Sequence, residues 1–287
     1  MPLFRPPSEG DNLIVQATLG CSYNHCSFCS MYKGKVYQPR DRAELFAHID
    51  DLARHWPDAR RVFLADGDAF TLPTGELLAI ADKLHRTFPD LQRISAYATP
   101  LNILRKSPDE LAELKAAKLN LLYLGMESGS AEVLRRIAKG VTPDRLAEAI
   151  LKARQAGLKI SATVILGLGG KAWSDSHADD TAALVNQAPP HYLSTLQLTL
   201  MPDAAPGFLE RWDGAFEALD DDGVLAEQRR MLEGLSPEYP VIFRSNHASN
   251  CLALAGNLPK DKARLLAEIE SAQSGAAGLR PRWMRGL

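Results

Sequence analysis

Cys21-Ser22-Tyr23-Asn24-His25-Cys26-Ser27-Phe28-Cys29 holds three of the chain's four cysteines. A structural zinc site ordinarily draws four ligands in two pairs. Three thiolates in one tight loop instead leave a coordination position open, as catalysis on an iron–sulfur cluster requires. Other readings of the loop stand beside this one. The spacing C-x4-C-x2-C also occurs in plant-type ferredoxins, which add a further cysteine. Here the remaining cysteine, Cys251, follows Cys29 by 222 positions (251 minus 29), a separation too large for so compact a domain. A zinc knuckle finished by His25 or His247 and three small buried thiols without metal are the bland alternatives.

Around the loop lies a chain of 287 residues, 46% apolar and 24% charged. That balance suits a single large α/β core with an appendage and argues against disorder. Lys plus Arg (33) nearly cancels Asp plus Glu (35), so no excess positive field advertises nucleic acid, which is disfavoured as a partner. The first twelve residues hold three prolines and no apolar h-region, and no run of about 18 apolar residues follows. A cytoplasmic protein that does not enter a membrane is expected. Four cysteines are too few for a disulfide scaffold and stay available as ligands in a reducing compartment.

Strand and helix patterns alternate along the chain. Apolar or β-rich runs at Leu13 to Ala17, Arg61 to Ala65, Arg93 to Ala98, Asn120 to Gly125, Lys159 to Leu166 and Tyr192 to Leu200 predict strands. Apolar residues recur at helical spacing over Ala43 to His55, Glu76 to Thr87, Asp109 to Ala117, Arg145 to Ala156 and Ser176 to Gln187. Ser107-Pro108-Asp109-Glu110 supplies an N-cap, a proline at N1 and a glutamate at N3. Thr142-Pro143 repeats the first two, Ser130 is placed to cap the helix beginning at Ala131, and Gly157 sits where a C-cap belongs. Six strands separated by helices imply a mostly parallel sheet with right-handed crossovers.

The first strand–helix turn, Gly20-Cys21-Ser22-Tyr23, is not a dinucleotide fingerprint, and no Walker A sequence is present. Polar or glycine-containing turns close every strand: the cysteine loop, Asp66-Gly67-Asp68, Thr99-Pro100, Glu127-Ser128-Gly129-Ser130, Gly167 and Met201-Pro202. Functional residues gathered at the carboxyl ends of successive strands favour a barrel-like sheet. The predicted fold class is α/β, a partial (β/α)6 TIM-type barrel over residues 1–205 with a C-terminal α+β extension over 206–287 that closes the barrel mouth.

These stations resemble the radical S-adenosylmethionine (SAM) superfamily, in its coproporphyrinogen-oxidase-like and methylthiotransferase-like branch. The family loop has an aromatic residue before its last cysteine, as Phe28 precedes Cys29, although its common spacing is C-x3-C-x2-C and this chain has one residue more. Asp66-Gly67-Asp68 looks like the Gly-Gly-Glu turn that approaches the amino group of SAM, with Asp in place of the first Gly and of the Glu. Thr99 closes the third strand beside it. Gly125-Met126-Glu127-Ser128 resembles the fourth-strand motif that meets the ribose, and Lys139 stands where related enzymes carry a cation for the SAM carboxylate. Thr163-Val164-Ile165-Leu166-Gly167 is similar to the fifth-strand motif that presents backbone to the adenine, with Thr163 replacing a glycine. Bland roles remain open for these residues: Asp66 and Asp68 as turn formers, Glu127 as an ion-pair partner of Arg135 or Lys139.

The resemblance implies that Cys21, Cys26 and Cys29 hold a [4Fe–4S] cluster whose open iron binds SAM. It also implies that reductive cleavage of SAM yields a radical that abstracts hydrogen from an unidentified substrate. A one-electron donor such as flavodoxin or ferredoxin is the implied partner. With only Cys251 left over, a fully Cys-ligated second cluster is not expected, which argues against sulfur insertion. Beyond residue 205 the pattern predicts a helix at Leu225 to Leu235, a strand at Tyr239 to Phe243 and a helix at Lys260 to Ala272. Between the last two, Arg244, Asn246 and His247 are candidate substrate contacts in a stretch dense in hydrogen-bonding groups. Cys251 reads as a small buried residue, and Arg280 to Arg285 as a solvated tail. Two other classes compete with the enzyme: a noncatalytic iron–sulfur electron carrier and a zinc-stabilised binding module.

Overall fold

Short apolar runs closed by glycine, proline or capping residues become strands, and the periodic segments between them become helices. The computed structural model of the chain describes residues 3–213 and 215–286. In order, the elements are β1 (Leu13–Gln16), β2 (Thr18–Leu19), β3 (Gln38–Pro39), α1 (Arg42–His55), β4 (Arg61–Ala65), α2 (Thr74–Thr87), β5 (Arg93–Tyr97), α3 (Pro100–Arg105), α4 (Pro108–Ala116) and β6 (Leu119–Glu127). They continue with α5 (Ala131–Arg136), α6 (Pro143–Gln155), β7 (Lys159–Leu166), α7 (Gly170–Gln187), β8 (Tyr192–Gln197), α8 (Ala205–Glu210), α9 (Asp221–Gly234), β9 (Val241–Ser245), β10 (Leu254–Leu258) and α10 (Lys262–Gln273). Among the described residues, no helix is long and apolar enough to cross a membrane.

Eight strands form one sheet in the order β1-β4-β5-β6-β7-β8-β9-β10, while β2 and β3 make a small antiparallel pair. The succession from β1 through β4 to β8, each strand followed by a crossover, is the partial (β/α)6 barrel. The extension adds β9 parallel to β8 and turns β10 back antiparallel on β9.

The chain divides into two compact units, one of Met1–Asn24, Met31–Leu124 and Leu151–Ile160, the other of His25–Ser30, Gly125–Ile150 and Ser161–Leu287. In the first, Val15, Phe63, Leu64, Leu77, Leu84, Phe88 and Ile94 are fully buried, each contributing roughly 1.5–3 kcal/mol of transfer free energy. Phe63, Tyr97 and Tyr123 meet edge to face there. Beside them Glu9, itself buried, accepts from Tyr123 Oη at 2.5 Å, Arg93 at 2.9 Å and Ser95 Oγ at 3.0 Å. In the second unit Val164, Leu193, Leu225, Phe243, Leu265 and Ile269 form the core.

Ser107 makes the expected capping box with Glu110, and Gly157 takes φ +77° at the end of α6. Ser130 takes the expected N-cap position of α5, its carbonyl accepting from Leu134 N at 2.9 Å, but its side chain makes no capping bond; its amide donates to Ser128 Oγ at 3.0 Å. Helix α7 begins at Gly170, earlier than its apolar periodicity indicates, α5 begins at Ala131 as expected, and β2, β3, α3, α8 and β10 are additions to the expected elements. The basic end is not a solvated tail either. Arg280 Nη1 donates to the carbonyls of His247, Ala248 and Asn250 at 2.7–3.1 Å, and Arg285 grips Asp221 through two bonds of 2.7 Å.

Candidate active site

In the first unit the stretch after β1 turns at Gly20, whose φ of +69° suits a residue without Cβ, and delivers Cys21 half-buried. The turn after β4 is built from two carboxylates that sequence alone does not distinguish. Asp66, fully buried, pairs with Lys35 at 2.8 Å and accepts from the Gly20 amide and Gln16 at 3.4 Å. Its Oδ1 has no hydrogen-bond partner among the described residues. Asp68, also fully buried, accepts from Ser22 Oγ, from Asn102 Nδ2 at 2.5 Å and from the Thr99 amide at 3.3 Å. Burial pushes its carboxyl up to about 6, against the opposing pull of those three donors and of Lys106. Between them Gly67 lies under the Tyr32 ring, where a Cβ would come within 2.7–2.9 Å of ring carbons. Thr99 caps α3, its Oγ1 accepting from the Asn102 amide at 3.3 Å.

The second unit carries Cys26, Phe28 and Cys29, all half-buried. Their turn is closed by Cys29 N donating to Cys26 O at 3.2 Å and held to the end of α5 by Ser27 N donating to Ile137 O at 2.9 Å. Two residues beyond Ile137, Lys139 pairs with Glu127 at 2.9 Å. Glu127 has φ +64°, so β6 ends by turning this side chain back over Gly125, where a Cβ would lie 2.0 Å from the carboxylate. The ion-pair role for Glu127 is therefore the one seen, with Lys139 as partner.

Ser128 is turned inward. It is fully buried and its Oγ lies 2.7 Å from His177 Nδ1, so it is not offered to a ligand's ribose. His177, on α7, stands with Nε2 3.7 Å from Glu227 Oε1, and Glu227, from α9, accepts from the Gly167 amide at 2.6 Å and Ser174 Oγ at 2.7 Å. Gly167, at φ +77°, thus has its N–H engaged, and its carbonyl accepts from Gly170 N at 3.0 Å. The position calls for glycine because of its φ, since a Cβ there would meet Val224 and Leu198 only at 3.8 and 4.0 Å. Along β7, Thr163 and Ile165 are half-buried while Ala162 and Val164 are buried, so the first two share the more open face.

The polar stretch at 244–250 serves the extension itself. Arg244 Nη1 donates to Phe243 O at 2.8 Å and Gly256 O at 3.3 Å, Asn246 is exposed, and His247 Nδ1 lies 2.8 Å from Ser249 Oγ. Burial, then Arg280, holds the His247 imidazole below its ordinary pKa. The hub is Asn250, which donates to Thr195 O, Ser245 O and Ser245 Oγ at 2.8–2.9 Å and accepts from Gln197 N at 2.7 Å. Neither Asn250 nor the set of Ser128, His177 and Glu227 carries a local sequence signature.

No cysteine is in a disulfide. Three half-buried thiols are soft ligands of the kind an iron–sulfur cluster takes. Cys251 is not of this kind: it is 2% exposed, and burial, then the charge of Asp221, raises its thiol pKa. Among the described residues, no three His, Cys, Asp or Glu side chains are placed to hold a single metal ion. Thiolates that bind different irons of one cluster need no such convergence. The donor set fits a cluster.

A family model described as the radical SAM superfamily matches residues 15–185. The chain belongs to that superfamily. This radical SAM superfamily member is 26% identical over 171 residues to a protein of Methanocaldococcus jannaschii provisionally named a methylthiotransferase, a match covering 55% of this chain and 36% of the relative. It is 24% identical over 156 residues to a Pyrococcus horikoshii protein named an uncharacterized methyltransferase, covering 54% and 32%. The matches thus span about a third of each relative's length. Among solved structures, coproporphyrinogen III oxidase from Escherichia coli superposes with a TM-score of 0.58 at 17% identity, over 77% of this chain and 52% of that one, a likeness of fold. Membership of the radical SAM superfamily implies a [4Fe–4S] cluster and SAM.

Proposed function

We propose that Cys21, Cys26 and Cys29 hold a [4Fe–4S] cluster and that SAM binds beside it. The observation that carries this reading is the cysteine loop. It has three half-buried thiols, two of them in a turn hydrogen-bonded to the helix end that leads into the part-buried Lys139–Glu127 pair. When bound, cluster and SAM would supply reductive cleavage of the S–C5′ bond and a radical that takes hydrogen from the substrate. Lys139 would give its charge to the SAM carboxylate, and Glu127 would exchange its ion pair for polar groups of the ligand. Asp68, within the turn packed under Tyr32, would set the place of the amino group, with Thr99 steadying it. Phe28 would shield the cluster, while Thr163, Ile165 and Gly167 would border the adenine. Ser128 would position Glu127 from behind, through His177.

The substrate is an organic molecule with an abstractable hydrogen. A tetrapyrrole oxidation, a small-metabolite rearrangement or an RNA base change would use the same barrel, and the near-neutral charge disfavours RNA. Asn246 and His247 are its proposed contacts, Arg244 being committed to the carbonyls beside it; residues 206–287 would close the barrel mouth. A flavodoxin or ferredoxin would supply the electron.

The test is anaerobic reconstitution with iron and sulfide, reduction, and assay of 5′-deoxyadenosine from added SAM, beside Cys26→Ala. Formation that depends on Cys26 is the expected result. A brown protein that binds no SAM would instead mark an electron carrier, and a colourless, zinc-loaded one a binding module.

A further inference from the structure

Lys106 follows the last residue of α3 and is 7% exposed. Its ammonium donates to the Leu72 carbonyl at 2.8 Å and the Thr74 hydroxyl at 3.4 Å, and lies 5.1 Å from the centroid of the Phe70 ring. None of these neighbours is an anion. A buried cation without a close counter-charge is expensive, and burial accordingly lowers the pKa of Lys106, with Glu110 and Asp68 opposing from a distance. The adjacent Arg105 is exposed, and its guanidinium reaches a neutral amide oxygen, Asn102 Oδ1, at 3.4 Å.

Both cations line one cavity of about 220 Å³. A third positive feature borders it. Helix α2, 14 residues long, starts there with Pro73 at its N-cap, so no side-chain oxygen satisfies its first amides. The one carboxylate in the wall is Glu110, and it is already engaged. Oε1 accepts from Thr74 Oγ1 at 2.6 Å, and Oε2 from the Ser107 amide at 2.7 Å in the capping box.

We propose that this cavity binds a small oxyanion, a phosphate or carboxylate, between Lys106 and Arg105. An oxyanion there would accept from the ammonium, from the guanidinium fork and from the helix start, the three kinds of donor that protein phosphate sites combine. The site lies wholly within the first unit, uses no residue assigned to the cluster or to SAM, and stands whatever the outcome of the SAM assay.

The test titrates inorganic phosphate into the whole chain at constant ionic strength, with chloride as the balancing salt, while NMR follows the Lys106 side chain. The expected result is a saturable shift of the Lys106 signal, with its deprotonation moved to higher pH. Arg105→Ala should weaken phosphate roughly tenfold, equivalent to about 1.4 kcal/mol, and Lys106→Met should abolish saturation. Because loss of Lys106 can impair folding, the exposed Arg105 variant decides. A non-saturating drift, identical in wild type and Arg105→Ala, overturns the proposal. Acetate in parallel tests the carboxylate class. Glycerol phosphate separates two sources: tighter binding than phosphate means that the anion is carried on a larger molecule, equal binding that it is the free ion.

Discussion

Gly67 has no room for a methyl group. The Tyr32 ring occupies the place of its Cβ, so Gly67→Ala should lower unfolding free energy by about 1–3 kcal/mol. Combining it with Tyr32→Leu should recover part of the loss, and a double-mutant cycle by urea unfolding reads the coupling. Asp68 makes a different prediction. Its folded carboxyl titrates near 6, above the ordinary value of about 4, so the fold favours its protonated form. The stability this gives is complete below about pH 4 and is lost as pH rises through 6, a change of roughly 3 kcal/mol at most. Asp68→Asn should therefore show a flatter stability profile than wild type between pH 4.5 and 7, checked by urea midpoints at the two ends. At this scale the sequence supplied the residues but not their states. Asp66 and Asp68 look alike on paper; in the fold one meets a lysine and the other meets neutral donors, and long-range packing decides which.

Among the elements, α9 fixes the turn after β7. Glu227 is the acceptor for the Gly167 amide and the Ser174 hydroxyl, and leaving a buried donor unsatisfied costs about 1–3 kcal/mol. Glu227→Leu should thus destabilise the chain by about 2–5 kcal/mol, while Glu227→Gln, which keeps one acceptor, should lose about 1 kcal/mol. Denaturant unfolding gives the energies, and faster amide exchange at Gly167 would locate the effect. The six strands were legible because each is an apolar run between strong breakers, and the helices because their apolar faces repeat. Ser107-Pro108-Asp109-Glu110 was legible as a local device that needs no tertiary partner. Ser130 is legible as the N-cap position but not in its missing side-chain bond: its amide meets Ser128, which lies against His177, far along the chain. β10 was overlooked because Leu254-Ala255-Gly256-Asn257-Leu258 carries a glycine and an asparagine and is made a strand by pairing with β9.

For the molecule as a whole, the division of the chain falls within the cysteine loop, between Asn24 and His25, a boundary that no composition shift marks. The family could be read from the stations at the strand ends, because each is a short motif at a predictable place. The polar core of the extension could not, since Thr195, Gln197, Ser245 and Asn250 become neighbours only when β8 and β9 pair. The C-terminal residues belong to that core. Arg280→Ala should lose about 1–3 kcal/mol and raise amide exchange across residues 246–251, which hydrogen-exchange mass spectrometry would detect. Beneath them Cys251 stays covered, whereas the other three cysteines are partly open. On the proposed ligand set the protein would thereby carry its own tally of metallation. In the iron-free chain, alkylating reagents should label three positions quickly and the fourth only on unfolding, and loading the cluster should silence the quick three together, so that mass spectrometry can count occupied molecules without any turnover.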